Sequence, residues 1–220
     1  MIKTYLFIEG PGGGDPFALR GAAAAEAALA AVPGLSGYIQ TRALDDQIGD
    51  EPAAFAGAME LWFRDADAAL ASTDHALSMQ PMLADGFRIG PIITGVARTV
   101  IRLPEHHTGA FIKGVFPFRR RADLSVADFQ HHWWLKHGPI AALTEDAVYY
   151  LQCHPLLQLY DRGRPPFDGV TELHWPSVAA ARSAMSSRQM TEDQAGDAKN
   201  FVDTDSVVLF LAEEEVVLAV

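Results

Sequence analysis

An α+β fold, made of two ferredoxin-like βαββαβ repeats packed sheet to sheet as a barrel-like pseudo-dimer within one chain, is predicted by three observations. The first is an internal repeat. "GYIQT" at 37–41 returns as "YYLQC" at 149–153 and "ELWF" at 60–63 as "ELHW" at 172–175, both 112 positions on, and Phe17 falls on Phe129 at the same offset. Ile2-Lys3 matches Ile112-Lys113 at 110 and Phe87 matches Phe201 at 114, as small loop insertions would produce. The second is the order of patterns in each half, which reads strand, helix, strand, strand, helix, strand. The third is physical: one such unit leaves a sheet face bare, and two units in one chain can cover those faces against each other. The chain therefore divides into residues 1–104 and 105–220, joined around "LPEHHTG" (Leu103 to Gly109).

In the second half "AFIKGVFPF" is rich in β-formers, and "RRRADLS" leads to Ser125, a helix N-cap with Asp128 three residues on. That helix is expected to run to about His137, where Gly138-Pro139 interrupts it and "IAALTEDA" adds a short turn. "VYYLQCHPL" and "GVTELHW" are the next strands, divided by "YDRGRPPFDG", a loop rich in Pro and Gly. "SVAAARSAM" is the second helix, capped by Ser177, and "DSVVLFLAEEEVV" holds the last strand, with "AEEEVV" read as a solvated sheet edge. The first half follows suit: a strand at Lys3 to Glu9, a helix from about Phe17 to Ala31, strands at Leu35 to Arg42 and Ala58 to Phe63, a helix from Asp65, and a strand at Gly95 to Leu103.

Composition narrows the function. With 49% hydrophobic residues the chain can bury a real core, while a net charge of -11 and pI near 5.0 would repel a phosphate backbone. No basic cluster exceeds Arg119-Arg120-Arg121, so nucleic acid and anionic membrane are excluded as partners. Cys153 is the single cysteine, which rules out an intrachain disulfide and fits a reducing compartment. "MIKTYLFIEGPGGGD" is too short an apolar run for a signal peptide, and "VVLFLA" cannot span a bilayer, so a cytoplasmic location is expected.

Chemistry concentrates in "FQHHWWLKHGP", residues 129–139. At 100° per residue Val126, Phe129, Trp133 and His137 share one stripe that must face the sheet, flanked by His132 and Lys136, with His131 and Trp134 well round the helix. His137 is expected at the helix C-terminus, where the dipole would raise its pKa. By strand alternation Tyr150, Gln152 and His154 share a face, as do Glu172 and His174, and both polar sets are expected to point at the helices. This predicts a pocket lined by His137, Tyr150, Gln152, His154, Glu172 and His174, with Trp133 as its apolar wall and His132 at its flank, the equipment of general acid/base chemistry. In the first half His137 becomes Ala25, His132 becomes Arg20 and His174 becomes Trp62, whereas Tyr38, Gln40 and Glu60 persist. One working site per chain, in the second half, follows from that asymmetry. Glu60 and Glu172, present in both halves, suit a structural role as well as a chemical one, and Cys153 reads as a small buried apolar residue.

The stretch "RRRADLSVADFQHHWWLKHGPIA" resembles the start of EthD-domain proteins. The residues that carry the resemblance are Arg119, Leu124-Ser125, Phe129, Trp133, His137-Gly138-Pro139 and, on the next strand, Tyr150 and Gln152. The resemblance spans residues 110–212 and is faint over 1–104. It implies a dimeric α/β-barrel fold, here as a tandem fused copy with a degenerate N-terminal repeat. It also implies mostly cofactor-free lyase or isomerase chemistry, with His137 and Tyr150 in the places of site residues of lactone isomerases.

Together these readings predict a cofactor-free lyase or isomerase, such as a dehydratase, cyclase or decarboxylase, acting on a small apolar cyclic, aromatic or lactone-like metabolite. His137 would be the general base or acid, Tyr150 a donor to a developing oxyanion, and His174 would take a second proton. Trp133, His132, Gln152, His154 and Glu172 are the substrate-binding candidates. Two alternatives stay open: a binding protein for a hydrophobic metabolite in a degradation pathway, and a haem-binding barrel using His137, His154 or His174. No metal site is expected, because His132 and His137 are five apart rather than four, and "EGPGGGDP" lacks the residues of a phosphate loop. The repeat supplies internally the partner that single-domain relatives find in a second chain, and still allows a homodimer.

Overall fold

The computed structural model describes residues 1–11, 13–49, 52–101 and 111–219. The junction at 104/105, the joining segment around 103–109 with His106 and His107, and one glycine of the 10–14 run lie outside them.

Eight antiparallel strands close into a barrel. The first half contributes β1 (Ile2–Glu9), β2 (Leu35–Ala43), β3 (Gly57–Phe63) and β4 (Arg88–Ile101). The second contributes β5 (Ile112–Arg120), β6 (Tyr149–Pro155), β7 (Gly169–Trp175) and, after a two-residue strand β8 (Val202–Asp203), β9 (Phe210–Leu218). The order round the barrel is β7-β6-β4-β1-β3-β2-β9-β5, closed by pairing of β5 with β7, while β8 adds to β5 outside the ring. Within each half the order of its own four strands is the same, fourth-first-third-second.

Where the sequence predicts two sheets packed face to face, the halves instead join edge to edge. β4 hydrogen-bonds to β6 and β2 to β9, so among the described residues one continuous sheet curls on itself and no barrel strand is left with a free edge. This corrects the reading of "AEEEVV" as a solvated edge. Strand β9 lies between β2 and β5, and its acidic residues are used: Glu214 pairs with Lys113 at 2.6 Å and Glu215 with Arg20 at 2.8 Å.

Helices cover the outside. In the first half α1 (Gly21–Ala31) and α2 (Ala66–Asp74), the latter capped by Asp65, pack with a 3-10 turn at Ala76–Met82 over the outer face of the sheet. In the second half α3 (Val126–His132) starts at the Ser125 cap, whose Oγ accepts from Asp128 N–H at 3.0 Å. A π-turn over Trp133–His137 then leads directly into α4 (Gly138–Ala141). Gly138-Pro139 is therefore not the helix stop that the sequence predicts. The Gly138 N–H bonds back to the Trp133 carbonyl, a wide turn that carries the helix past the missing Pro139 N–H. The "YDRGRPPFDG" loop begins inside α5 (Leu157–Asp161), and α6 (Val178–Ser186) starts at the predicted Ser177 cap. A second π-turn (Gln189–Gln194) and α7 (Ala195–Ala198) follow, in a stretch too polar to show a helical period.

The barrel lumen has two ends of different character. One is aromatic, with Phe7, Phe55, Phe167 and Phe210 in mutual ring contact. The other holds Lys3, Lys113, Glu60 and Glu172, all essentially inaccessible to solvent. Among the described residues no helix is long and apolar enough to cross a membrane.

Candidate functional site

The site lies on the outer face of the second-half sheet, under its helices. A cavity of about 340 Å³ opens there, walled by Trp133 and His137 from the π-turn, Tyr150 from β6, Thr171 and Leu173 from β7, and Met190, Gln194 and Phe201 from the segment that follows α6. That volume is at the small end of ligand pockets, and its lining is mostly apolar with a few convergent polar groups.

His137 is placed by the π-turn, which keeps it in line with Phe129 and Trp133, all three buried. Gly169 makes room for the anchor: a Cβ there would come within 2.7 Å of the Trp133 ring. The Nδ1 of His137 lies 2.9 Å from Asp197 Oδ2 on α7. A carboxylate only accepts, so Nδ1 carries the proton and Nε2 is the atom left for a ligand. Burial holds the His137 pKa below its ordinary value against the opposing pull of Asp197. This reverses the expected shift. His137 sits mid-helix rather than at a C-terminus, so desolvation outweighs any dipole.

Tyr150 points into the same cavity from β6 and is fully buried, which pushes its phenol pKa up. Its oxygen accepts from Gln152 Nε2 at 2.6 Å, and the same amide donates to the Trp133 carbonyl at 3.1 Å. Gln152 thus ties the π-turn to the tyrosine and leaves the phenol proton free to donate elsewhere. Its Oε1 accepts from His154 Nε2 at 2.9 Å, and His154 packs on the Trp133 ring at 4.3 Å. At neutral pH the cavity therefore offers an uncharged imidazole acceptor and an uncharged phenol donor.

Trp133, His137 and Tyr150 are the predicted site residues that line the cavity. Gln152 and His154 stand behind the wall as its supports; His154, held neutral by burial with a pKa of about 3, faces a separate groove beside Arg98. His132 reaches Asp197 instead, at 3.0 Å. Glu172 and His174 are on the wrong face for the predicted pocket. They point into the lumen, where Glu172 binds Lys3 at 2.5 Å and accepts from Tyr5 Oη at 2.8 Å. The polar face of β7, expected to point at the helices, faces the other way: this end of the lumen is charged, and the apolar face with Leu173 and Trp175 meets the helices. Cys153 is buried in the lumen, in keeping with its reading as a small buried apolar residue.

Asp197, Thr171, Met190 and Phe201 were not singled out as site residues by sequence reasoning. Asp197 sits in "TEDQAGDAKN", where nothing local marks it as the carboxylate that reaches His137. Among the described residues no group of three or more His, Cys, Asp or Glu is arranged to hold a metal ion.

Residues 121–205, which carry the π-turn, Tyr150 and Asp197, match the EthD domain family. Over those residues the second half of this chain is similar to an EthD domain. Two solved structures of similar fold cover nearly the whole chain. An anthrone oxidase-like protein aligns with a TM-score of 0.57 at 10% identity, over 98% of this chain and 93% of its own. A chlorite dismutase from Candidatus Nitrospira defluvii aligns with a TM-score of 0.51 at 13% identity, over 96% and 90%. An EthD family protein from Bacillus halodurans C-125 covers 46% of this chain and 95% of its own at 15% identity, with a TM-score of 0.38. For the anthrone oxidase-like protein and the chlorite dismutase the likeness is one of fold. No curated protein sequence matches the chain.

Proposed function

We propose that the chain is a cofactor-free acid/base enzyme, a lyase or isomerase, that moves a proton on a small, largely apolar cyclic molecule bearing a carbonyl. The observation that carries this reading is the pairing of His137, fixed by Asp197 with Nε2 available, with a protonated Tyr150 in one apolar cavity. Nε2 would take a proton from a carbon conjugated with the carbonyl, and the Tyr150 hydroxyl would hydrogen-bond the enolate oxygen as charge develops there. The imidazolium formed would be stabilised by Asp197, and would return the proton at another position or to a leaving group. We further propose that residues 1–104 and 105–220 are ferredoxin-like repeats, the first a scaffold and the second the working half. The shared strand order supports this, as does Ala25 standing where the repeat would place a histidine.

Anthrone, a flat tricyclic ketone with an acidic methylene, is a suitable first probe. Enzyme-dependent exchange of that methylene in D2O, above the buffer rate, is expected, together with its loss in His137→Ala at unchanged anthrone affinity. Full exchange in His137→Ala would refute the assignment, and binding without exchange in the wild type would leave a carrier of hydrophobic metabolites as the function. A haem group is a second reading, since a histidine whose Nδ1 is held by a carboxylate is oriented as metal ligands are. Of the three histidines considered, His137 alone fits: His174 faces the lumen and His154 Nε2 is taken by Gln152. A Soret band after haemin titration that is lost in His137→Ala would favour it.

A further inference from the structure

Asp197 serves two imidazoles. His132 Nε2 lies 3.0 Å from Oδ1 and 3.3 Å from Oδ2, Asn200 Nδ2 lies 3.4 Å from Oδ1, and His137 Nδ1 lies 2.9 Å from Oδ2. The Phe201 ring is wedged between the histidines, 5.0 Å from His132 and 4.9 Å from His137. A carboxylate held by one imidazole alone can rotate and offer either oxygen. With His132 and Asn200 on Oδ1, Oδ2 is the oxygen that remains for His137. His132 is not part of the cavity wall, so it can act on a ligand only through its neighbours.

We propose that His132 is a positioning residue for His137: by holding Asp197 it keeps His137 in the Nδ1–H form, with the Nε2 lone pair turned into the cavity. This rests on the reading of His137 as the base. The titratable groups that face His137 are Asp197 from α7, His132 one turn back on its own helix, and Tyr150 across the cavity; Trp133 and Phe201 complete its surroundings.

The test uses 15N-histidine-labelled full-length protein without ligand, and long-range 1H–15N spectra that distinguish the two neutral tautomers of His137. Wild type is expected to show the Nδ1–H form alone. His132→Phe keeps a ring against Phe201 but loses the donor, and is expected to show a mixture of tautomers; His132→Gln retains an N–H donor and is expected to restore the single form. A single Nδ1–H tautomer in both His132→Phe and His132→Ala, with wild-type backbone spectra, would overturn the proposal. In the anthrone exchange assay His132→Phe is expected to lower kcat about tenfold with KM within about twofold, as for a group that supports a reacting residue from behind. If His137→Ala left exchange intact, the reading of His137 as base would fail while the tautomer result still decided the role of His132.

Discussion

Lys3 and Glu172, 169 residues apart in sequence, meet at 2.5 Å inside the barrel and join the first strand of one half to the third-ranked strand of the other. Their counterparts by the internal repeat, Lys113 and Glu60, meet at 2.9 Å. Each lysine also touches the remaining carboxylate, Lys3 to Glu60 at 2.7 Å and Lys113 to Glu172 at 3.5 Å. The charged end of the lumen is thus a crossed pair of ion pairs that ties the two halves together, with Tyr5, Thr41 and Glu214 satisfying the rest.

Breaking that network from one side should be costly, because the charge left behind has no water. Lys113→Met is expected to lower stability by about 3–5 kcal/mol. Replacing Lys3 and Glu172 together by Met and Gln should cost less than the sum of the two single changes. Denaturant unfolding of the three variants measures the coupling, and simple additivity would contradict the geometry.

Gln152 is the support whose loss should reach the site. Gln152→Leu strands the Trp133 carbonyl, the Tyr150 oxygen and the His154 N–H, and is expected to cost about 2–4 kcal/mol, since each buried group left unmet costs about 1–3. Gln40 makes the corresponding bonds to Leu19 and Tyr38 in the first half, away from the cavity. Gln40→Leu should therefore lower stability while leaving ligand affinity unchanged, and calorimetric titration of both variants with anthrone separates the two effects.

Acid should weaken the fold before the carboxylates titrate. His154 and His174 are held neutral by burial, with pKa values of about 3 and 4 against an ordinary 6.5. A folded-state pKa below the unfolded one gives stability that is complete above pH 6.5 and is lost as pH falls towards the folded value, because the unfolded chain binds the proton first. Glu172, lowered to about 2 chiefly by Lys113 and Lys3 against its burial, extends the loss below pH 4.5 by the same sign. Thermal melts should fall steadily from pH 6.5 to 4, and His174→Gln should flatten that fall.

Filling the cavity should abolish binding without unfolding the chain. Ala198 lines it from α7 and is only partly buried. Ala198→Leu is expected to leave stability within about 1 kcal/mol and to weaken anthrone binding at least tenfold. Thr171→Val, which removes a hydroxyl beside Tyr150, should change affinity far less.

Much of the fold was legible in short strand and cap patterns. The 112-residue offset aligned Tyr38 with Tyr150 and Glu60 with Glu172, and the structure gives those residues matching strand positions and partners. The Ser125, Asp65 and Ser177 caps fell where short polar side chains precede helical patterns. Misreadings came where local pattern lacked the deciding information. Gly138-Pro139 looks like a stop because a proline cannot continue an α-helix, yet a π-turn passes it. The polar face of β7 was expected toward the helices, because nothing in "GVTELHW" says that two lysines from other strands wait in the lumen.

The sequence by itself determined the strand and helix order, the stripe that seats Phe129, Trp133 and His137, and the pairing of Tyr150 with Gln152 on one strand face. These are properties of neighbours a few residues apart, set by helical and strand periods. Tertiary structure decided which charged residues share the lumen, that the sheet closes by edge pairing at β4–β6 and β2–β9, and that Asp197 reaches His137 from 60 residues away. Those contacts depend on barrel closure and on how one helical segment lies across another, and no local period encodes either.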